Sequence, residues 1–128
     1  MGRMSPLQGS LEGTTRSEVG GLTVDEMSAG TARLKRLTYP PGWSWTKDMQ
    51  PLTGTDRCQH AHVGYVVSGT MEVAYADGCT MRFDGPAFVV VEPDHDGWVV
   101  GDEPVVFVQV DHGPDTVERF GLTGRHQH

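Results

Sequence analysis

The stretch TMEVAYADGCTMRF, residues 70–83, constrains the fold more than any other part of the chain. Met71, Val73 and Tyr75 alternate with Thr70, Glu72 and Ala74, and after Asp77-Gly78 the series returns with Cys79, Met81 and Phe83 on one face. A period of two is the mark of a half-buried strand. Asp-Gly is the pair that a two-residue type I′ turn prefers. The stretch therefore reads as an antiparallel hairpin with one apolar face, which requires a second layer to cover it.

The rest of the chain repeats this rhythm. Among 128 residues, 17 are glycine and 8 proline, about one in five, and they are spread along the sequence rather than clustered. Such punctuation predicts many tight turns between short strands. TARLKRLTY (31–39) alternates, is stopped by Pro40-Pro41-Gly42, and is, like the N-terminal arm, a candidate edge for pairing with a second copy. WSWTK (43–47) would place Trp43, Trp45 and Lys47 on one face of a strand. AFVVV (87–91) is a continuous apolar run, expected as a strand buried on both faces. EPDHDG reads as a turn, followed by strands WVV (98–100) and VVFVQV (105–110), and only 114–122 has room for a helical turn. The expectation is about eight strands in an all-β antiparallel barrel over residues 21–122, with a polar mobile arm over 1–20 and a tail over 123–128.

Charge and composition exclude several functions. The net charge is −7, from 10 basic and 17 acidic residues, which disfavours phosphate backbones and anionic membrane surfaces. No apolar run reaches the length of a membrane-spanning helix. Two cysteines, Cys58 and Cys79, are too few for a disulfide framework, so free thiols and a cytoplasmic location are expected, the alternative being one disulfide between them in an exported protein.

The chemistry concentrates in CQHAHVGYVVSG. In an extended segment Cys58, His60 and His62 point to one face, and ligands of this type on an inner wall can hold zinc, copper or nickel. The competing reading is a polar pocket wall without metal. His95, flanked by Asp94 and Asp96, is a further candidate ligand or acid/base group, and the two carboxylates would favour its imidazolium form. Trp43, Trp45, Tyr65 and Trp98 are candidates for stacking a planar ligand. Gln109 interrupts an apolar strand and must find a partner if buried. His112, His126 and His128 fall on the C-terminal stretch and carry no signal.

The order strand, H-x-H, strand, SG turn, hairpin, P-x-H turn, WVVGDEP resembles the cupin superfamily, in particular small single-domain cupins of actinobacterial type. The resemblance covers about residues 38–110, and HDGWVVGDEP is its most specific piece. It implies a jelly-roll barrel, often a homodimer, that takes a small organic molecule and in many members a divalent metal such as zinc, nickel, iron or copper. Metal-binding members carry G-x5-H-x-H-x3-4-E-x6-G. Matched literally from Gly54, the histidines are His60 and His62 and the glutamate position falls on Val66 or Val67. Counted back from Gly69, His62 takes the glutamate position and the histidine positions fall on Asp56 and Cys58. The second register is preferred because YVVSG matches the family's strand and turn, and strand parity makes register strict. The later histidine of the family falls on Gly97 or Trp98, just after His95. The resemblance thus implies either a metal-dependent lyase, isomerase or cyclase-like cupin, or a binding module that works without metal.

Overall fold

The structure, a computed structural model, describes residues 9–122. Nine strands form two sheets: β1 (Thr15–Val19), β2 (Leu22–Ala29), β3 (Ala32–Tyr39), β4 (His62–Ser68), β5 (Thr70–Tyr75), β6 (Thr80–Asp84), β7 (Ala87–Val91), β8 (His95–Val100) and β9 (Val105–Asp111). The first sheet runs β1-β2-β3-β9-β4-β7 and the second β6-β5-β8, with every pairing antiparallel. The two sheets face each other around a core that includes Leu37, Val66, Val73, Val89, Val105 and Phe107. This is the expected all-β jelly-roll barrel.

The hairpin of 70–83 forms with the expected faces, Met71, Val73 and Tyr75 being buried. Its turn is one residue longer than a type I′ turn. Gly78 donates to the carbonyl of Tyr75 at 3.0 Å, and Gly78 alone takes a positive φ, of 89°. Asp77 keeps a negative φ and accepts the Cys79 N–H on its carboxylate at 2.8 Å. A three-residue loop with a left-handed glycine closes the strands equally well.

Four other expectations give way to specific local chemistry. The 15–19 stretch, expected within the arm, pairs with β2 as β1, turning at Gly20-Gly21 and tied by Arg16 to the buried Asp25 at 2.8 Å. Its side chains are mostly exposed, so it shows no apolar period. WSWTK is not a strand: Ser44 accepts the Lys47 N–H on its hydroxyl at 3.2 Å and donates its own N–H to the Asp48 carboxylate at 3.0 Å. This reciprocal cap starts a short helix α1 (Trp45–Asp48), followed by α2 (Gln50–Thr53) with a proline in its first turn and Gly54 as a left-handed C-cap. AFVVV is buried on one face only. β7 is an edge strand whose outer face is left bare among the described residues, with Phe88 86% exposed. TARLKRLTY lies inside the sheet between β2 and β9, so it is no edge available to a second copy.

Two features fix the sheet that carries the site. A Cβ on Gly64 would lie 1.9 Å from the Val108 carbonyl oxygen, so only glycine lets β4 approach β9 this closely. On the outer face, Asp25 takes Arg16 and Arg36, the latter at 2.9 Å, and Arg36 also reaches the carbonyl of Gly9. The helical turn expected in 114–122 is present, as a 3-10 turn (Gly113–Asp115) and α3 (Thr116–Arg119), with Thr116 hydrogen-bonded to the buried Asp111. Among the described residues no helix is long and apolar enough to cross a membrane. The expected tail over 123–128, with His126 and His128, lies outside the described residues.

Candidate functional site

Between the sheets lies a cavity of about 440 Å³, within the range that holds a small organic molecule. Its walls are largely apolar and include Trp43, Trp45, Leu37 and Phe107. The polar part is formed by Cys58, His62, His95 and Gln109, with Lys35 and Asp111 beside them.

Cys58, His62 and His95 converge so that one donor atom of each lies within 4.8 Å of the others. They come from three places in the sequence, and the backbone explains how they meet. His62 opens β4 and His95 opens β8. Cys58 forms an antiparallel bridge with His95: its N–H donates to the His95 carbonyl at 2.7 Å. In return, the N–H groups of Asp94 and His95 both donate to the Cys58 carbonyl, at 2.8 and 3.1 Å. Asp94 achieves this with φ 73°, the only positive value at a non-glycine among the described residues.

The tautomers of both histidines follow from their partners. His95 Nδ1 lies 2.7 Å from the Glu92 carbonyl oxygen, which can only accept, so Nδ1 carries the proton and Nε2 keeps its lone pair. His62 Nδ1 donates to Gln109 Oε1 at 2.9 Å, which frees Nε2 on the side of the Cys58 sulfur, 3.7 Å away. Both imidazoles are held neutral. Burial lowers the pKa of His62, and burial together with the neighbouring His62 pushes that of His95 down to about 3. The Cys58 thiol is pushed up, chiefly by burial. Two imidazole nitrogens fixed by a carbonyl behind each ring, plus one sulfur, form the kind of donor set that holds zinc, copper or nickel.

The expectation that Asp94 and Asp96 would favour a charged His95 does not hold. The ring is buried in the wall, whereas Asp96 is spent on Thr46 at 2.9 Å and on its neighbour Gly97, and Asp94 is exposed and holds Gln59. His95 is also the first residue of a strand rather than part of a turn.

The other candidates are dispersed. His60 is exposed at the cavity rim and stands outside the group of three, because 59–61 is irregular and Ala61 takes the buried place. Asp56 is exposed as well, so of the positions named by the second register Cys58 and His62 are the two brought together. Trp43 and Trp45 are buried in the cavity wall, and the Trp43 indole donates to the Gly20 carbonyl at 2.8 Å. Tyr65 lies on the outer face against Phe88, ring centres 5.2 Å apart, and Trp98 is out of phase with the cavity-lining His95 and Gly97. Gln109 is buried beside His62. Cys79 is half-buried and unpaired with Cys58, as expected.

Sequence reasoning missed the left-handed backbone role of Asp94, the role of the Tyr75 hydroxyl, and Lys35. The Tyr75 hydroxyl accepts the Glu92 N–H at 3.1 Å and so steadies the carbonyl behind His95. Lys35 shares the inward parity of Leu37 and Tyr39, a signal that was present in the sequence.

No protein-family model matches this chain, and no curated protein matches it either. Solved structures do. A cupin-2 domain protein of Rhodospirillum rubrum superposes with a TM-score of 0.58 at 17% identity, covering 83% of this chain and 74% of that one. A cupin 2 conserved barrel protein of Salinispora arenicola gives 0.56 at 16% identity, covering 84% and 88%. An oxalate decarboxylase of Lactobacillus farciminis, in a formate complex, gives 0.55 at 17% identity over 79% of this chain, which spans only 31% of that enzyme. With its two facing antiparallel sheets and its internal cavity, the chain has the cupin fold.

Proposed function

We propose that this protein is a metal-binding cupin that takes a small organic molecule into the barrel and acts on it there. The observation that carries this reading is the pair of carbonyl oxygens behind His62 and His95. Each imidazole is locked in its neutral form by a bond at Nδ1, so that Nε2 keeps its lone pair beside Cys58, whose sulfur lies 3.7 Å from that of His62. A plain polar wall needs no such agreement of tautomers. A divalent metal held there would supply Lewis-acid polarisation of an oxygen on the bound molecule. The chain's own residues do the rest: Trp43 and Trp45 offer flat apolar walls, the buried setting excludes water, and the three donors leave room for a ligand.

The set contains a thiol and lacks a carboxylate, so it favours zinc, copper or nickel over the iron of two-histidine-one-carboxylate oxygenases. A cytoplasmic setting fits, since it keeps Cys58 reduced and able to ligate. Homodimerisation also belongs to this proposal, and the exposed Phe88 on edge strand β7 is the surface that supports it. Calorimetric titration of metal-free protein with zinc tests the central point. One equivalent bound with release of protons supports it. No heat of binding leaves the barrel as a module that holds its ligand without metal.

A further inference from the structure

Gln109 is spent on only one side. Its Oε1 accepts the His62 Nδ1 proton at 2.9 Å, and this fixes the amide the other way round, with the two Nε2 protons directed elsewhere. Those protons meet no acceptor among the described residues, although the side chain is 6% exposed and lines the cavity. The amide nitrogen opens onto the cavity, so an acceptor on a bound molecule can reach it. The surrounding charges do not need it. Lys35, directly opposite Gln109 across the β3–β9 ladder, is paired to Asp111 at 2.7 Å, and Glu26 to Arg33 at 3.3 Å. The wall beside the three candidate ligands thus holds one unspent pair of donors, next to an ammonium group and facing an apolar chamber.

We infer that Gln109 is the specificity residue of the cavity: its amide donates to an oxygen acceptor, the carboxylate or carbonyl of a small molecule whose apolar body lies against Trp43 and Trp45. This rests on reading the barrel as a small-molecule site, and it holds whether or not metal is bound. The same side chain therefore has two tasks, orienting His62 with its oxygen and selecting the ligand with its nitrogen.

The test uses metal-free protein and three probes of one size class: benzoate, acetophenone and ethylbenzene, followed by tryptophan fluorescence. Wild type should bind acetophenone at least tenfold more tightly than ethylbenzene, which lacks an acceptor. Gln109→Glu keeps an oxygen for His62 and loses the donors. Gln109→Met keeps the size without charge and also loses them. Either variant, if folded by melting temperature, should lose at least tenfold for both benzoate and acetophenone while its affinity for ethylbenzene stays within about threefold. Equal affinity of wild type for acetophenone and ethylbenzene overturns the inference, and needs no variant. So does unchanged acetophenone binding in a folded variant. Zinc titration of wild type is read separately: failure there removes the metal reading and leaves this subsite standing.

Discussion

Cys58 and His95 hold each other by their backbones: the N–H of Cys58 donates to the His95 carbonyl at 2.7 Å, and the N–H of His95 returns to the Cys58 carbonyl at 3.1 Å. The backbones that carry two of the three converging side chains are thus tied to each other by main-chain bonds. The bridge also ties the irregular stretch before β4 to the first residue of β8. Whatever the three groups bind, their spacing is set before it arrives.

That arrangement depends on Asp94. Its φ of 73° costs a non-glycine residue roughly 1 kcal/mol, and it costs a β-branched residue more. Asp94→Gly should keep or slightly raise stability, and Asp94→Val should lower it by about 2 kcal/mol in urea unfolding. Equal stability of the two would mean that the loop finds another conformation.

Acid should weaken the fold in a defined window. His95 has its pKa lowered from 6.5 to about 3, so the unfolded chain binds a proton that the folded chain refuses between these values. The stability that follows is fully present above pH 6.5 and is lost as pH falls toward 3, with a slope of up to about 1.4 kcal/mol per pH unit for one group. His62 is shifted in the same direction. Asp25, lowered chiefly by its bond to Arg16, adds its loss only below about pH 4. Chemical denaturation from pH 7.5 to 4.5 should show stability falling, and His95→Gln should flatten the curve. A flat wild-type profile over that range would contradict the burial of a neutral His95.

The ion cluster on the outer face should be worth keeping whole. Asp25 is 1% exposed and serves two guanidinium groups, one of them on the buried Arg36. Asp25→Ala leaves the Arg36 charge in the sheet without its carboxylate and should cost about 3 kcal/mol. Thermal unfolding checks this, and a loss under about 0.5 kcal/mol would show that solvent takes over the role of Asp25.

Much of the barrel was legible from parity alone. Met71, Val73 and Tyr75 face inward as their alternation requires, and so do Leu37 and Tyr39 after the change of phase in TARLKRLTY. What failed were inferences that needed to know the neighbours. The apolar run of β7 could not reveal that it would sit at an edge with its outer face bare. Trp43 and Trp45 carry a strand-like spacing, yet Ser44 and Asp48 cap a helix instead. For the site, Cys58 and His62 share a face in any extended register, but the exclusion of His60 depends on the irregular 59–61, and the entry of His95 depends on a left-handed Asp94. Spacing alone encodes neither.

Phe88 offers a test of self-association. At 86% exposure on an edge strand it is a large apolar group that the described residues leave uncovered. Sedimentation of wild type at micromolar concentration should show a dimer, and Phe88→Glu a folded monomer. A monomeric wild type removes the dimer.

Cobalt(II) substitution tests the central claim most directly, because thiolate ligation gives an intense near-ultraviolet charge-transfer band that imidazole and oxygen ligands do not. The account predicts that metal-free wild-type protein takes up one equivalent of cobalt with this band. Cys58→Ser should abolish the band. His62→Ala and His95→Ala should weaken binding by at least tenfold, and His60→Ala should leave both band and affinity within about twofold, since His60 is exposed and outside the group. A spectrum without the thiolate band, or a band that His60→Ala removes and His95→Ala spares, would contradict it.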